Sequence, residues 1–255
     1  MTDNFYNIQD KVALITGSGR GLGYTFAEGL AEAGCKVVLN GRNRETLEEA
    51  QKTLSNKGFE VFANEFDITD SKEVHKNIKE IQETAGPIDI LVNNAGIQKR
   101  APLEEFKEED WDEVLNINLK GAFIVGKYVA QGMIERRSGK IINICSLQSE
   151  LGRNTIAPYT ASKGGLRMLT RGMAVDWAKY NIQVNAIAPG YFKTKMTKKL
   201  YEDQEFDQWL RSRTPAGRWG DPRELIGALL FLASDASNYV NGQVIYVDGG
   251  ITASI

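Results

Sequence analysis

A serine, a tyrosine and a lysine stand at intervals that suit proton transfer. In the segment SLQSELGRNTIAPYTASK, Ser146 lies thirteen positions before Tyr159, and Lys163 lies four positions after it. Residues four apart on a helix share a face, so the lysine ammonium would favour the phenolate and lower the tyrosine pKa from about 10. Such a tyrosine can exchange a proton with an alcohol or carbonyl oxygen while a hydride moves to or from a nicotinamide. Ser146 can hydrogen-bond the same oxygen.

A glycine-rich turn, TGSGRGLG at residues 16–23, lies between the first predicted strand and the first predicted helix. Its glycine spacing differs from GxGxxG, and a purely structural turn is the alternative. Its position favours a dinucleotide cradle, because glycines let the backbone approach a pyrophosphate at the N-terminus of the following helix. The predicted cofactor contacts of this turn are Gly17, Ser18, Arg20, Gly21, Leu22 and Gly23.

The second predicted strand ends VVLNGRN, at the place where a carboxylate would bind the ribose 2′-hydroxyl of NAD. Asn40 carries no charge, and Arg42 follows it, with Arg20 nearby in the glycine turn. Two guanidiniums without a carboxylate suit a 2′-phosphate, because arginine binds phosphate oxygens bidentately. We therefore expect NADP, with NAD as the alternative and Arg42 and Asn40 among the cofactor contacts.

The bulk composition limits the kinds of partner. The chain has 255 residues, of which 42% are hydrophobic and 25% charged, enough for a full core. A net charge of -2 provides no basic field for nucleic acid. No apolar run approaches the ~20 residues that span a bilayer, and the first ten residues lack signal-peptide features, so no membrane partner is expected. Two isolated cysteines predict a cytoplasmic protein without a disulfide framework.

The single histidine, His75, lies on the flank of a helix whose buried stripe is Val74, Ile78 and Ile81. One histidine supports neither a Ser-His-Asp triad nor a histidine-based zinc site. No cluster has metal-ligand spacing, so we expect no metal and an acid/base group other than histidine.

Short β-branched runs alternate with longer helical patterns along the whole chain. The predicted strands are Val12–Thr16, Lys36–Asn40, Glu60–Asn64, Ile88–Val92, Lys140–Cys145, Gln183–Ile187 and Gln243–Val247. The predicted helices are Leu22–Ala33, Glu45–Lys57, Ser71–Ala85, Trp111–Arg137, Tyr159–Tyr180 and Pro222–Ala233. This alternation predicts an α/β fold, a single doubly wound Rossmann-type domain over residues 1–255 with a seven-stranded parallel sheet. Ligands then bind at the carboxyl ends of the strands.

Two further loops follow predicted strands. After the third strand, Asp67 and Ile68 stand where they would contact the adenine, and Asp70 is placed to cap the next helix. After the fourth strand, the segment Asn93–Gly96 (NNAG) combines small residues and amides that either line a cofactor or satisfy a buried loop. Its predicted cofactor contacts are Asn94, Ala95 and Gly96.

Together these motifs resemble the short-chain dehydrogenase/reductase family over essentially the whole chain. TGxxxGxG, NNAG, Ser…YxxxK, PGYFKT and VDGG stand in the family's order and spacing. The resemblance implies the catalytic set Asn118, Ser146, Tyr159 and Lys163, in which Asn118 is preferred over Asn116 because it directly precedes the hydrophobic residue of the family motif. It further implies that Asn118 holds a water linking Lys163 to solvent. The other implied cofactor contacts are Tyr159, Lys163, Pro189, Gly190 and Thr194.

Several segments, among them INICSLQSELGR and IAPGYFKTKMT, resemble family members that interconvert 5-keto-D-gluconate and D-gluconate. The implied activity is reversible NADP-dependent reduction of this sugar acid, in a homotetramer assembled through the helices around Trp111–Arg137 and Tyr159–Tyr180. One alternative is a reductase of a deoxy-sugar acid, of the 2-dehydro-3-deoxy-D-gluconate type, or of another ketone. A non-catalytic dinucleotide-binding scaffold is less favoured, because it predicts loss of a catalytic residue and all four are present.

A sugar acid requires a cation for its carboxylate and hydrogen-bonding groups for its hydroxyls. The expected substrate contacts are Arg100, Ser146, Gln148, Arg153, Tyr159 and Tyr191, with Lys195 on the same loop as Tyr191. Glu150 is an unfavourable neighbour for an anion unless it pairs with an arginine. The polar segment Thr197–Arg213 follows the nicotinamide loop and is a candidate lid.

Overall fold

Seven parallel strands form one sheet in the computed structural model, which describes residues 5–194 and 197–254. The strands are β1 (Val12–Ile15), β2 (Lys36–Gly41), β3 (Val61–Glu65), β4 (Ile88–Asn93), β5 (Gly139–Ile144), β6 (Ile182–Pro189) and β7 (Val244–Val247). Their order across the sheet is β3-β2-β1-β4-β5-β6-β7, and every neighbouring pair runs parallel. The predicted α/β class and all seven predicted strands are confirmed, with ends that differ by one or two residues.

Helices cover both faces of this sheet. Those described are α1 (Gly21–Glu32), α2 (Arg44–Ser55), α3 (Ser71–Thr84), α4 (Glu108–Leu115), α5 (Ala122–Arg136), α6 (Ala157–Trp177), α7 (Lys198–Tyr201), α8 (Gln204–Arg213) and α9 (Ile226–Ala233). A π-helical turn, Asn116–Gly121, joins α4 to α5. The helical region predicted as Trp111–Arg137 therefore begins earlier in the structure, at Glu108. It also contains a π turn, which hydrophobic periodicity does not reveal. No helix in the described ranges is long and apolar enough to cross a membrane.

Each helix packs through its apolar stripe. In α3, Val74, Ile78 and Ile81 are buried at helical spacing, and Asp70 caps the first turn by accepting from Lys72 N and Glu73 N, as predicted. One core layer joins α1, α2 and α9 to the sheet, and the other joins α3, α5 and α6 to the opposite face. Because both faces are covered, β5 and β6 are buried along their full length.

The strand order reverses between β1 and β4, which lie side by side although they are not consecutive in the chain. Loops that leave these two strands diverge and open a crevice at the carboxyl edge of the sheet. The glycine turn follows β1 and the NNAG segment follows β4, so the fold brings both predicted cofactor loops to this crevice. The loops after β5 and β6 emerge at the same edge.

Candidate active site

The glycine turn packs directly against the NNAG segment. Gly17 has φ +64, and a Cβ on it would lie 2.8 Å from Ala95 Cα. A Cβ on Gly23 would lie 2.3 Å from Gly17 O and 2.5 Å from Asn94 Nδ2. Asn94 Nδ2 donates to Thr16 O at 2.9 Å and to Gly17 O at 3.1 Å. Glycine is therefore required for this close approach, and the Asn94 side chain braces the turn.

Two other predicted cofactor residues use their side chains inside the protein. Ser18 Oγ donates to Ile15 O at 2.8 Å and accepts from Asn40 N at 3.0 Å. The buried amide of Asn40 donates to Phe66 O at 3.1 Å. These side chains join β1, β2 and the end of β3 instead of pointing at a ligand, a bracing role that residue type alone does not reveal. Asn40 still leaves the end of β2 without a charge, as predicted.

The N-terminus of α1 differs from those of its neighbours. Arg20 is its N-cap in an extended conformation, no side chain caps it, and its first turn holds no acidic residue. By contrast, Asn43, Asp70 and Asp203 cap α2, α3 and α8 with side-chain oxygens. The unpaired N–H groups and the helix dipole of α1 favour an anion at this point, so the turn fits the pyrophosphate of a dinucleotide. Leu22, one residue into α1, packs against the adjoining core.

Arg42 and Asp67 face each other at the far side of the crevice. Arg42 is exposed, and its Nη1 lies 3.7 Å from Asp67 Oδ2, a long and solvated ion pair that holds the guanidinium weakly. Asp67 Oδ1 accepts from Thr69 N and Thr69 Oγ1, both at 2.8 Å, so one of its two oxygens is already engaged. Ile68 is buried, and a Cβ on Gly121 would lie 2.6 Å from its Cδ1. The Ile68 side chain therefore supports the π turn.

The three residues of the predicted proton-transfer group meet at the end of β5. Ser146 lies just beyond β5, and Tyr159 and Lys163 lie in the first two turns of α6. A hydrogen bond from Ser146 lowers the pKa of Tyr159, but burial has the larger effect and the pKa is raised. The buried Lys163 Nζ donates to Ile144 O at 2.6 Å and lies 5.7 Å from the centre of the Tyr159 ring.

The expected lowering of the tyrosine pKa by Lys163 is therefore wrong for this arrangement. Removal from water disfavours both the phenolate and the ammonium. The same burial lowers the pKa of Lys163 to about 8, so its ammonium is still present at neutral pH, but its charge does not outweigh the effect of burial on the phenol. Tyr159 keeps its proton at neutral pH, which is the state needed to donate to a carbonyl oxygen.

Asn118 lies in the π turn and is almost completely buried. Its Oδ1 accepts from Ile97 N at 2.8 Å, and its Nδ2 donates to Ile97 O at 2.9 Å and to Ser162 Oγ at 3.0 Å. A Cβ on Gly96 would lie 3.2 Å from Asn118 Oδ1 and 3.7 Å from Lys163 Nζ. Asn118 and Lys163 thus both lie next to Gly96, and Asn118 clamps the loop after β4 to α6. π turns often occur at functional positions.

The loops after β4, β5 and β6 bring two arginines beside two tyrosines. Arg153 Nη1 donates to Tyr191 Oη at 2.9 Å. Burial raises the pKa of Tyr191, and the nearby charges of Arg153 and Arg100 lower it by less. Tyr159 also lies close enough to raise this pKa. Burial and the charge of Arg153 lower the pKa of Arg100, although a guanidinium stays protonated. The predicted substrate residues Arg100, Arg153, Tyr159 and Tyr191 therefore share one site.

Gln148 and Glu150, on the loop after β5, have protein partners. Gln148 is buried, and its Oε1 accepts from Ser146 Oγ at 2.6 Å, so it orients the serine hydroxyl. Glu150 Oε1 lies 2.7 Å from Arg167 Nη1, so Glu150 has the arginine partner that its place beside an anionic substrate was expected to require. Within residues 5–194 and 197–254, no group of three or more histidine, cysteine or acidic side chains could hold a metal ion.

The motifs PGYFKT and VDGG pack against each other. Pro189 ends β6 beside Val247 of β7, and a Cβ on Gly190 would lie 2.7 Å from Asp248 Cα. Thr194 N donates to Thr197 Oγ1 at 2.9 Å, which closes the loop after β6. The predicted cofactor contacts Pro189, Gly190 and Thr194 thus lie at the carboxyl edge. Lys195 lies outside the described residues.

A family model described as short chain dehydrogenase matches residues 11–205. The chain belongs to the short chain dehydrogenase family. Among its relatives, a gluconate 5-dehydrogenase of Gluconobacter oxydans (strain 621H) is 53% identical over 99% of this chain and 98% of its own. A 5-keto-D-gluconate 5-reductase of Escherichia coli (strain K12) is 50% identical over 99% of this chain and 100% of its own.

Solved structures of related proteins share the fold. A gluconate 5-dehydrogenase from Burkholderia cenocepacia J2315, solved in complex with NADP and tartrate, is 52% identical with a TM-score of 0.96. The match covers 99% of each chain. In this chain the glycine turn lies on the loop after β1, and the tyrosine and lysine lie in the first two turns of α6.

Sequence patterns did not identify Phe206, Asp207 or Trp219 as neighbours of the site. The candidate lid Thr197–Arg213 contains α7 and α8, and the Phe206 ring of α8 lies 4.8 Å from Arg153 Cζ. Trp219 is buried and donates from Nε1 to Asp207 Oδ1 at 2.7 Å. The only signal for this cluster was an aromatic residue inside a polar helical segment, which does not specify the loop it contacts.

The low pKa of Lys163 has a consequence for the pH dependence of this short chain dehydrogenase. Burial lowers that pKa from 10.5 to about 8, so the ammonium is lost as pH rises through about 8. We expect kcat/KM for ketone reduction to be level below about pH 7 and to fall above about pH 8, with a slope approaching tenfold per pH unit. A pH–rate profile measures this. In a Lys163→Arg variant, which stays charged, the fall near pH 8 should be absent whatever its absolute rate. A wild-type profile that is level to pH 9.5 would contradict the expectation.

Proposed function

We propose that this chain is an NADP(H)-dependent oxidoreductase that reversibly reduces 5-keto-D-gluconate to D-gluconate. The observation that carries the proposal is the pair Arg100 and Arg153 around Tyr191, which in turn lies near Tyr159, because a sugar acid needs a cation for its carboxylate at a distance from the carbon that is reduced. The names of the Gluconobacter and Escherichia relatives support the same substrate. Tartrate, found with the Burkholderia relative, is also a hydroxylated carboxylic acid.

We assign the acid/base role to Tyr159. NADPH bound in the glycine cradle supplies a hydride to the ketone carbon, and Tyr159 donates its proton to the oxygen on which negative charge develops. Its raised pKa keeps this proton in place at neutral pH. Ser146 Oγ donates to Gln148 Oε1 in this structure, and in the proposed role its hydroxyl turns from Gln148 to donate to the same oxygen when the substrate binds. In the oxidative direction Tyr159 accepts the proton of the alcohol.

Lys163 and Asn118 are proposed to assist Tyr159 in proton transfer. Lys163 Nζ lies under the Tyr159 ring and donates to Ile144 O, so its position is set by β5. In the proposed role its charge stabilises the phenolate that forms after proton transfer, and its remaining donors serve the cofactor ribose. Asn118 holds the loop of Ile97 beside Lys163. A water that relays protons to Lys163 would bind the remaining lone pair of Asn118 Oδ1 or the adjacent main chain.

The preference for NADP is proposed to rest on Arg42. Replacing Arg42 with alanine should raise KM for NADPH roughly ten- to hundredfold, because hydrogen bonds to a charged phosphate contribute about 1.5–3 kcal/mol each. KM for NADH, which lacks the 2′-phosphate, should stay within about twofold. Steady-state kinetics with both cofactors measure the ratio.

Arg44→Ala is the matched control for Arg42→Ala. Arg44 is also an exposed arginine near the end of β2, but its guanidinium pairs with Glu48 at 2.7 Å on the surface of α2. We expect Arg44→Ala to leave both KM values unchanged. Equal losses for NADPH and NADH in Arg42→Ala would assign that residue a structural role.

A substrate panel tests the proposed activity itself. NADPH consumption would be followed with 5-keto-D-gluconate, with a deoxy-ketogluconate of the 2-dehydro-3-deoxy type, and with uncharged ketoses, each repeated with NADH. We expect 5-keto-D-gluconate with NADPH to show the highest kcat/KM. Turnover of the deoxy-sugar acid without turnover of 5-keto-D-gluconate would replace the proposed substrate with its closest alternative. Cofactor binding without turnover of any ketone would favour a scaffold.

We further propose that the chain works as a homotetramer in the cytoplasm. Large apolar side chains are exposed on the helices α4 to α6, where an interface was expected: Trp111, Phe123, Met168 and Val175. Exposed apolar surface of this kind is typical of contacts between subunits. Both cysteines, Cys35 and Cys145, are buried and free, which suits a reducing compartment. Sedimentation equilibrium should report about four times the 28.3 kDa chain mass, and a monomeric mass would overturn the tetramer.

A further inference from the structure

The helix α8 is attached to the candidate substrate site through two consecutive residues. The Phe206 ring lies 5.8 Å from the Tyr191 ring and 6.2 Å from the Trp219 ring, centre to centre. Asp207 Oδ1 accepts from the indole N–H of the buried Trp219 at 2.7 Å. Asp203 caps the helix by accepting from Glu205 N and Phe206 N, so the turn that carries Phe206 is ordered. Aromatic packing and one hydrogen bond therefore hold α8 against the loop of Tyr191.

Arg153 is held between these aromatic rings. Its Cζ lies 4.8 Å from the Phe206 ring centre and 5.8 Å from the Tyr191 ring centre, both within the range of a cation–π contact. Its Nη1 also donates to Tyr191 Oη at 2.9 Å. Within the described residues, no carboxylate lies within ion-pair distance of Arg153. The guanidinium is thus fixed by neutral partners and keeps its charge available to an anion.

The chain segment that carries Arg153 offers little support of its own. Residues 151–156 form neither helix nor strand between the short turn Leu147–Ser149 and α6. A long arginine side chain on such a loop has many rotamers, and binding a carboxylate would require one of them to be selected at an entropic cost. Contacts that select the rotamer beforehand remove part of that cost and increase the affinity.

We propose that Phe206 is a positioning residue that holds Arg153 where it binds the substrate carboxylate, so that α8 sets the affinity for anionic substrates. This inference rests on the proposed function, because it assigns Arg153 to the carboxylate of a sugar acid. Phe206 contacts the guanidinium of Arg153, so in this role it acts on the substrate only through that side chain. Its loss should therefore weaken substrate binding and leave the chemical step intact.

The substitution Phe206→Leu keeps an apolar side chain against Tyr191 and Trp219 but removes the aromatic face beneath Arg153. We expect KM for 5-keto-D-gluconate to rise about three- to tenfold, with kcat within twofold of wild type and KM for NADPH unchanged. Trp209→Leu is the matched control, because it removes another aromatic ring of α8, which packs on Phe206 at 5.3 Å, whereas the rings that contact Arg153 are those of Tyr191 and Phe206. This control should leave KM for the sugar acid within twofold.

A double-mutant cycle with Arg153→Met decides between positioning and general support of the fold. If Phe206 acts through Arg153, Phe206→Leu should have no further effect on KM in the Arg153→Met background. The same fold increase in both backgrounds would overturn the inference, as would an unchanged KM in Phe206→Leu alone. Parallel losses in kcat and in KM for NADPH would indicate a merely structural role.

The outcome for this inference can be distinguished from the outcome for the proposed function. If wild type turns over a different sugar acid, the cycle is measured with that acid, and only the substrate assignment changes. Calorimetric titration of the NADP-loaded wild type and Phe206→Leu variant with D-gluconate gives the same comparison without turnover. Gluconate binding that is equal in the two proteins would overturn the inference alone, whereas wild type that neither binds nor turns over any sugar acid would overturn both.

Discussion

Replacement of Tyr159 with phenylalanine should lower kcat for ketone reduction by about 10²- to 10⁴-fold, the usual contribution of a positioned general acid. The substitution removes only the hydroxyl, and the ring can keep its place beside Lys163. With the hydroxyl gone, neither neighbouring donor replaces it, because the Ser146 hydroxyl is a far weaker acid than a phenol and Lys163 Nζ donates to Ile144 O. The developing alkoxide would then take its proton from water.

The measurement for Tyr159→Phe is steady-state kinetics together with NADPH binding by fluorescence titration. We expect the dissociation constant for NADPH to stay within a few-fold of wild type, so that the loss lies in the chemical step. Tyr128→Phe is the matched control, since it removes a hydroxyl that bonds Ser71 on the outer surface at 3.0 Å. Activity of Tyr159→Phe above a tenth of wild type would exclude Tyr159 as the general acid.

Replacement of Gly23 with alanine should lower kcat/KM for NADPH by about 100-fold, because a misplacement of about 1 Å at a reacting group can cost that factor. The added Cβ would lie 2.3 Å from Gly17 O and 2.9 Å from Ser18 Cα, so main-chain atoms must move. Gly17 cannot yield easily, since Ala95 is packed against it. The turn that should receive the pyrophosphate would be displaced, and overpacking would also cost about 1–3 kcal/mol of stability.

Gly227→Ala separates this effect from a general intolerance of alanine. Gly227 is exposed in the first turn of α9, away from the proposed subunit interface, and a Cβ there would meet nothing within 4 Å. That variant should gain about 0.5–1 kcal/mol in the free energy of unfolding, because glycine is unfavourable inside a helix, and its kinetics should not change. Fluorescence titration with NADPH and thermal unfolding of both variants make the comparison. An unaltered NADPH affinity in Gly23→Ala would show that the turn does not bind the cofactor.

The fold was predictable because its information is local and repeated. Each strand is a short β-branched run and each helix a periodic stripe, such as Val74, Ile78 and Ile81 in α3, so the elements follow from spacing. Because strands and helices alternate along the chain, the expected arrangement is a parallel sheet with helices on both faces. The π turn at Asn116–Gly121 escaped prediction because one extra residue per turn does not alter the pattern of apolar residues enough to be noticed.

The sequence also indicated which residues would meet at the candidate site, but not how several of their side chains are used. Residue type identified Ser18, Asn40 and Asn94 as polar groups near a cofactor, whereas their hydrogen bonds show that they brace strands and loops. Residue type likewise suggested that Lys163 lowers the pKa of Tyr159. Burial overrides that pairing, because the cost of removing charge from water depends on the surroundings and not on sequence separation.

By itself, the sequence determined the elements, the order of the motifs and the residue types that can transfer a proton, since these depend on neighbours along the chain. Only the tertiary structure decided which polar groups are free, how burial shifts the pKa values, and which element supports which loop. Arg153 and Phe206 are far apart in sequence, and no periodicity links them. They meet because the loops after β5 and β6 leave the same edge of the sheet, and α8 folds back over both.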